Sequence, residues 1–116
     1  MHRTRVSRSW LLAIALICPI GLAAAQDADK VKKGEGVYAA QKCSVCHSIA
    51  GKGGKANPLD GVGAKLSEAD MREWITKPVE AAAKAKSTKK PPMPAKYGSL
   101  PAEDLDALVA YMLSLK

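Results

Sequence analysis

The sequence contains no phenylalanine, and its other aromatic residues are two Trp and three Tyr among 116 residues. Aromatic side chains bury a large apolar surface per residue, so their scarcity excludes a core built mainly from rings. A core made by the chain alone would consist mostly of Ala, Leu, Val and Met. A chain of this length forms one small domain, and such domains often need a metal, a crosslink or a cofactor for stability. A large apolar cofactor would supply the missing core.

The first 25 residues contain no acidic residue and have the order expected of an export signal. Basic residues, an apolar run and small residues follow one another as Arg3, Arg5 and Arg8, then Trp10 to Leu22, then Ala23 to Ala25. The apolar run has 13 residues, whereas a spanning helix needs about 20. We therefore expect a secretory signal at 1–25 that is cleaved near Ala25, a periplasmic domain at 26–116, and no stable membrane insertion after cleavage.

Cysteine and histidine are also scarce. Of the three Cys and two His, only Cys43, Cys46 and His47 lie outside the predicted signal. They form a Cys-x-x-Cys-His sequence, which is the spacing of covalent c-type haem attachment. Two thiols separated by two residues reach both vinyl groups of one porphyrin edge from a single turn of chain, and the adjacent imidazole can then bind the iron. We predict one haem c, bonded to Cys43 and Cys46 and ligated by His47.

Three other interpretations explain these residues less well. A redox-active Cys-x-x-Cys pair is typical of a strand followed by a helix, and no strand is predicted before Cys43. A structural zinc site needs four ligands, whereas residues 26–116 offer two Cys and one His. A disulfide accounts for both thiols but gives His47 no role.

The lack of a second histidine in residues 26–116 excludes bis-histidine ligation within one chain. A methionine thioether is the usual soft alternative. Met71 and Met112 lie on apolar helix faces, where methionine more often fills a core. Met93 lies in the loop 91–94, whose prolines restrict the backbone and hold the side chain in place. We predict Met93 as the second axial ligand, with the lysine pair 89–90 as the next candidate.

Hydrophobic periodicity indicates helices and no convincing strand, so the predicted class is all-α. Capping residues and prolines give the approximate helix ends. The expected elements are helix 29–47 with Asp29 as N-cap, loop 50–58, a helix that begins after Ser67 and stops at Pro78, a short helix 81–86, and a final helix from Pro101 to Leu115.

Residues 26–116 resemble the small class I c-type cytochromes. The matching features are Gly34-x-x-x-Tyr38, Cys43-x-x-Cys46-His47, Asn57-Pro58-Leu59, Trp74, Met93-Pro94 and Leu108-Val109-Ala110-Tyr111. The resemblance implies three to five helices packed around one covalently attached haem, with Gly34 allowing the first and last helices to cross near Tyr38 and Tyr111. It also implies that the Pro58 carbonyl accepts a hydrogen bond from the second ring nitrogen of His47, which would orient the imidazole.

The resemblance implies periplasmic electron transfer by a single haem with His47 and Met93 as axial ligands. No general base, nucleophile or oxyanion site is evident, so an enzyme is not expected. Two alternatives stay open. One is a cytochrome subunit of a larger periplasmic oxidoreductase, such as a sulfur-compound or alcohol dehydrogenase. The other is a haem-based gas sensor, which requires Met93 to be absent from the iron or easily displaced.

Five lysines lie on either side of Met93 in the sequence and are called the lysine cluster below: Lys84, Lys86, Lys89, Lys90 and Lys96. A basic surface of this kind would steer an acidic redox partner toward the haem, although lysine runs are also typical of solvated loops. Nucleic acid is not expected, because the aromatic residues do not alternate with these lysines as base stacking requires. We expect redox protein partners, and either a monomer or a subunit of a hetero-complex.

Overall fold

The computed structural model describes the backbone of residues 20–116 and the side chains from Asp27 onward. Residues 1–19 of the predicted signal lie outside the described residues, and its predicted cleavage site lies within the first helix. The helices are α1 (Ile20–Ala40), α2 (Val62–Lys65), α3 (Glu68–Thr76), α4 (Pro78–Lys84) and α5 (Ala102–Ser114). The predicted helical class is confirmed. Among the described helices, none combines the length and the apolar character that crossing a bilayer requires.

A small sheet that the sequence did not indicate lies directly after the cysteine pair. Its strands are β1 (His47–Ile49), β2 (Lys52–Gly53) and β3 (Asn57–Pro58), in the order β2-β1-β3. Strand β1 pairs antiparallel with β2 and parallel with β3. Two or three residues are too few for an alternating pattern to be visible in a sequence, so the segment 50–58 was predicted only as a loop.

The first helix differs from its prediction at both ends. It is already helical at Ile20, so Asp29 lies inside α1 and is not its N-cap, and it ends at Ala40 rather than at 47. Lys42 has a φ of 56°, in the left-handed region that ends helices and is strained for a residue with a Cβ. The Cys-x-x-Cys-His sequence therefore leaves the helix and forms a separate turn.

The first and last helices cross in direct backbone contact, as the resemblance implied. A Cβ on Gly34 would overlap the carbonyl oxygen of Ala107 and would lie 2.7 Å from the Cβ of Tyr111. Next to the crossing, the rings of Tyr38 and Tyr111 meet edge to face with their centroids 5.8 Å apart. The close approach of α5 thus leaves room only for glycine at position 34. The contact between Tyr38 and Tyr111 fixes the crossing point beside the cysteines.

Helices α3 and α5 begin and end close to the predicted residues, whereas α2 was not predicted and the short helix expected at 81–86 is α4 at Pro78–Lys84. The Ser67 side chain caps α3 by accepting a hydrogen bond from the Asp70 amide at 3.1 Å. Pro78 occupies the first turn of α4 and separates it from α3. The core includes Val37, Met71, Ile75, Tyr97, Leu108, Val109 and Met112. Met71 and Met112 are therefore core residues, as predicted.

Candidate functional site

The cysteine pair lies on a 3₁₀ turn, Cys43–Val45, directly after α1. The Cys46 amide donates to the Cys43 carbonyl at 3.2 Å, which closes the turn. Cys43 is half-buried and Cys46 is exposed, and both thiols are free rather than joined in a disulfide. Burial raises the pKa of the Cys43 thiol, because the thiolate loses its hydration there. The turn presents two thiols with two residues between them.

His47 begins β1, and its ring is fixed by the neighbouring strand. The ring Nδ1 lies 3.0 Å from the carbonyl oxygen of Asn57. Since a carbonyl can only accept, Nδ1 carries the proton and donates it, and Nε2 is left with the lone pair that a metal requires. A hydrogen bond of this kind orients a ligating imidazole and increases its basicity.

The acceptor for His47 corrects the expectation that the Pro58 carbonyl would fill this role. The parallel register pairs His47 with Asn57, and it pairs Ser48 with Pro58. The carbonyl one residue before the proline therefore faces the imidazole. The type of interaction is as expected, but the residue that provides it is different.

The main chain of His47 is held as well. The Tyr38 hydroxyl donates to the His47 carbonyl at 3.3 Å. Tyr38 also belongs to the aromatic pair at the α1–α5 crossing. Burial raises the pKa of this phenol, and nearby Cys43 adds to the effect, so the hydroxyl stays protonated and able to donate. Tyr38 thus links the α1–α5 crossing to His47, the residue that follows the cysteines.

Met93 lies outside the helices, in the segment between α4 and a 3₁₀ turn at Ala95–Ser99. It is half-buried and packs against the core, unlike Met71 and Met112, which are buried. Four residues later, the buried Tyr97 lies close to the cysteine turn: burial raises its pKa, and nearby Cys43 and Cys46 raise it further. The 3₁₀ turn that follows Met93 thus lies near the cysteine turn.

The donor set fits a covalently bound haem. The cysteine turn and β1 carry two free thiols and an imidazole with an available Nε2. The half-buried Met93 thioether directly precedes the 3₁₀ turn at Ala95–Ser99. Apolar side chains from the same segments pack on the core but keep part of their surface exposed: Ile49, Leu59, Leu66, Met93 and Leu100. An apolar porphyrin bonded to Cys43 and Cys46 and ligated by His47 would cover apolar surface of this kind.

The lysine cluster has fewer free charges than the sequence indicated. Lys84 contacts both carboxylate oxygens of Glu73 at 2.8 Å, which leaves its charge paired. The Lys89 Nζ donates to the Ala56 carbonyl at 2.9 Å, so this side chain bridges to the loop that precedes β3. The Lys96 Nζ lies 5.2 Å from the centre of the Tyr97 ring, close to the cysteine turn.

Sequence reasoning missed two residues that surround the site, Asn57 and Tyr97. Asn57 acts through its main-chain carbonyl, which is common to all residue types and leaves no signal in a sequence. Tyr97 had a weak signal, since it is one of three tyrosines in the chain and follows the loop of Met93 closely.

A family model described as Cytochrome c matches residues 31–116. This range includes the cysteine turn, His47, the sheet, Met93 and α5. Comparison with curated proteins and comparison with solved structures gave no match.

Proposed function

The chain belongs to the cytochrome c family, and on this basis we propose that it is a periplasmic electron carrier whose haem iron is ligated by His47 and Met93. As a member of the family it binds haem c covalently and serves as an electron carrier rather than as an enzyme. The observation that carries the proposed ligation is the hydrogen bond from the His47 Nδ1 to the Asn57 carbonyl, because it leaves Nε2 for the iron.

When bound, the haem supplies a one-electron Fe(III)/Fe(II) change. The residues around it would set how readily that change occurs. A soft Met93 thioether favours the ferrous state and raises the potential. The restrained His47 ring and the proline-flanked Met93 would keep similar positions in both states, so little would have to rearrange. Two occupied axial positions would leave no place for a substrate or a gas at the iron.

The periplasmic location rests on the first 25 residues, which have the basic, apolar and small-residue order of a secretory signal. Comparison of the N-terminal residue of the purified protein with the sequence tests the location: a start at or near Gln26 in a periplasmic extract supports it. A full-length chain retained in the cytoplasm would contradict it.

The ligation is tested by optical spectroscopy of the exported protein before and after denaturation. We expect haem absorption to stay with the denatured chain, and an iron–methionine absorption in the folded ferric protein. The reduced protein should not bind CO at neutral pH. Rapid CO binding would contradict Met93 ligation and support the gas sensor. Purification with a second protein at fixed stoichiometry would instead identify a subunit of a larger oxidoreductase.

We further propose that the lysine cluster, without Lys84, forms part of the surface at which an acidic redox partner docks. The bridge from Lys89 to Ala56 supports this, because it joins the cluster to a second lysine-bearing segment, with Lys52 on β2 and Lys55 in the loop that follows. Among the described residues, Lys84 is the one lysine of the cluster that pairs with a carboxylate. The others would keep their full charge for long-range attraction.

Charge reversal at Lys86 and Lys90 (Lys86→Glu, Lys90→Glu) is expected to slow oxidation of the reduced protein by the anionic hexacyanoferrate(III) ion. At about 0.01 M ionic strength, where charges act over roughly 30 Å, we expect a decrease of about tenfold. The decrease should shrink as salt is added. Stopped-flow absorption of the haem measures the rate.

Lys30→Glu combined with Lys32→Glu is the matched control, because it changes the net charge by the same amount. Both are exposed lysines on α1 and lie about 12–15 Å along the helix from its cysteine-proximal end. We expect less than about a twofold change for this variant. Equal effects of the two charge reversals would show that net charge, and not the lysine cluster, governs the rate.

A further inference from the structure

The hairpin formed by β1 and β2 folds back onto the cysteine turn. Its two connecting residues, Ala50 and Gly51, both have positive φ, as a tight two-residue hairpin turn requires. Strand β2 ends at Gly53, which pairs with Ser48, and Gly54 follows. The hairpin therefore brings Gly53 and Gly54 against the backbone of the cysteine turn.

The Gly54 amide holds the hairpin against the cysteine turn by donating to two carbonyl oxygens. Its N–H donates to the Ser44 carbonyl at 2.9 Å and to the His47 carbonyl at 3.1 Å. Ser44 lies between the two cysteines, and His47 follows them. A single amide thus connects the two ends of the segment that carries both thiols and the imidazole.

The same contact leaves no room for a side chain. A Cβ on Gly53 would overlap the His47 carbonyl oxygen and lie 2.9 Å from that of Ser44. A Cβ on Gly54 would lie 2.7 Å from the carbonyl oxygens of Val45 and Cys46. These neighbours are backbone atoms of the cysteine turn, so they can yield only if the turn changes shape.

Other glycines of the chain show that this is not a general property of its turns. Gly51 lies in the same hairpin with a φ of 77°, yet a Cβ there would meet no atom within 4 Å. The same is true of Gly36 on α1. Other close approaches involve a different partner, since Gly34 and Gly63 both meet α5. Gly53 and Gly54 are the glycines that meet the backbone of Cys43–His47.

We propose that Gly53 and Gly54 form a positioning clamp, here called the glycine clamp, which holds Cys43–His47 in the shape that presents two thiols and one imidazole to a single haem. The Tyr38 hydroxyl supports the same His47 carbonyl from α1, and Asn57 orients the ring. The inference rests on the proposed role of His47 as an iron ligand. The glycines act through the turn and do not touch the haem iron.

Gly54→Ala in the full exported chain is expected to lower the yield of covalently bound haem per folded protein by about tenfold, since displacements of about 1 Å at reacting groups strongly reduce rates. Holoprotein that still forms should have displaced haem-methyl resonances in the NMR spectrum of its ferric state, because the His47 ring is reoriented. Haem yield is measured by absorption after denaturation.

Gly51→Ala and Gly36→Ala are the matched controls. Gly51→Ala introduces a side chain at positive φ in the same hairpin, so we expect a less stable protein with unchanged haem yield and unchanged haem-methyl resonances. Gly36→Ala should change neither the haem yield nor the haem-methyl resonances. If Gly54→Ala matches Gly51→Ala in both measurements, the glycine clamp is only a turn and the inference is wrong.

A measurement on the unmodified holoprotein covers the case in which Gly54→Ala does not fold. The shared hydrogen bonds should make the Gly54 amide exchange with solvent at least about 100-fold more slowly than in an unstructured peptide. Unprotected exchange at Gly54 would overturn the inference. Absence of the iron–methionine absorption from the same sample would contradict the proposed Met93 ligation and not the glycine clamp. The comparison of haem yields between the variants would remain valid.

Discussion

Met93→Ala is expected to leave the haem covalently attached while it opens the sixth coordination position of the iron. The proposed attachment is through Cys43 and Cys46, which the substitution does not touch. Loss of the soft thioether should lower the reduction potential by on the order of 0.1 V, within the roughly 0.8 V range over which axial ligands set haem potentials. The reduced variant should bind CO at neutral pH. Redox titration and CO difference spectra measure the two effects.

Met71→Leu is the control for this substitution. Met71 is buried between helices, and a volume-conserving exchange in a core costs less than about 1.5 kcal/mol. We expect the ferric spectrum and the potential of Met71→Leu to match those of the unmodified protein. An unchanged ferric spectrum in Met93→Ala would remove Met93 from the iron.

A lysine from the pair 89–90 is the other candidate for the sixth position, and it could also occupy that position after Met93 is removed. The Lys89 Nζ already donates to the Ala56 carbonyl, so Lys90 is the competitor to test first. Adding Lys90→Gln to Met93→Ala distinguishes the cases. CO binding that appears only in the double variant would identify Lys90 as the substitute ligand.

Gly34→Ala is expected to destabilise the folded protein by about 3 kcal/mol, the upper part of the usual range for overpacking a core. Alanine normally stabilises a helix by roughly 0.5–1 kcal/mol relative to glycine. Here its Cβ would overlap the Ala107 carbonyl oxygen, and a backbone atom within α5 cannot move alone. The two helices must separate, which also disturbs the contact between Tyr38 and Tyr111. Urea denaturation of the holoprotein measures the change.

Gly36→Ala provides a control on the same helix, two residues away. An added Cβ there meets no atom within 4 Å, so the ordinary helix preference of alanine should prevail and raise stability by roughly 0.5–1 kcal/mol. The two substitutions should therefore have opposite signs. A similar change in free energy of unfolding for both would contradict the close crossing of α1 and α5.

Several features were predictable because a few neighbouring residues specify them. Ser67 caps α3 through a hydrogen bond to an amide three residues later, and Pro78 interrupts the helical run because it lacks an N–H. The assignment of Met71 and Met112 to the core followed from helical periodicity. The Cys-x-x-Cys-His sequence indicated haem attachment by spacing alone, and the family match covers it.

The sequence by itself determined which side chains are available to the haem: two thiols, one imidazole and a methionine outside the helices. The tertiary structure decided how the backbone holds them. Helix α1 ends where Lys42 adopts a left-handed conformation. The pairing of His47 with Asn57 and the contact of Gly54 with Ser44 depend on main-chain carbonyls and on strand register. Every residue has the same carbonyl, so these contacts become defined only when distant segments are brought together.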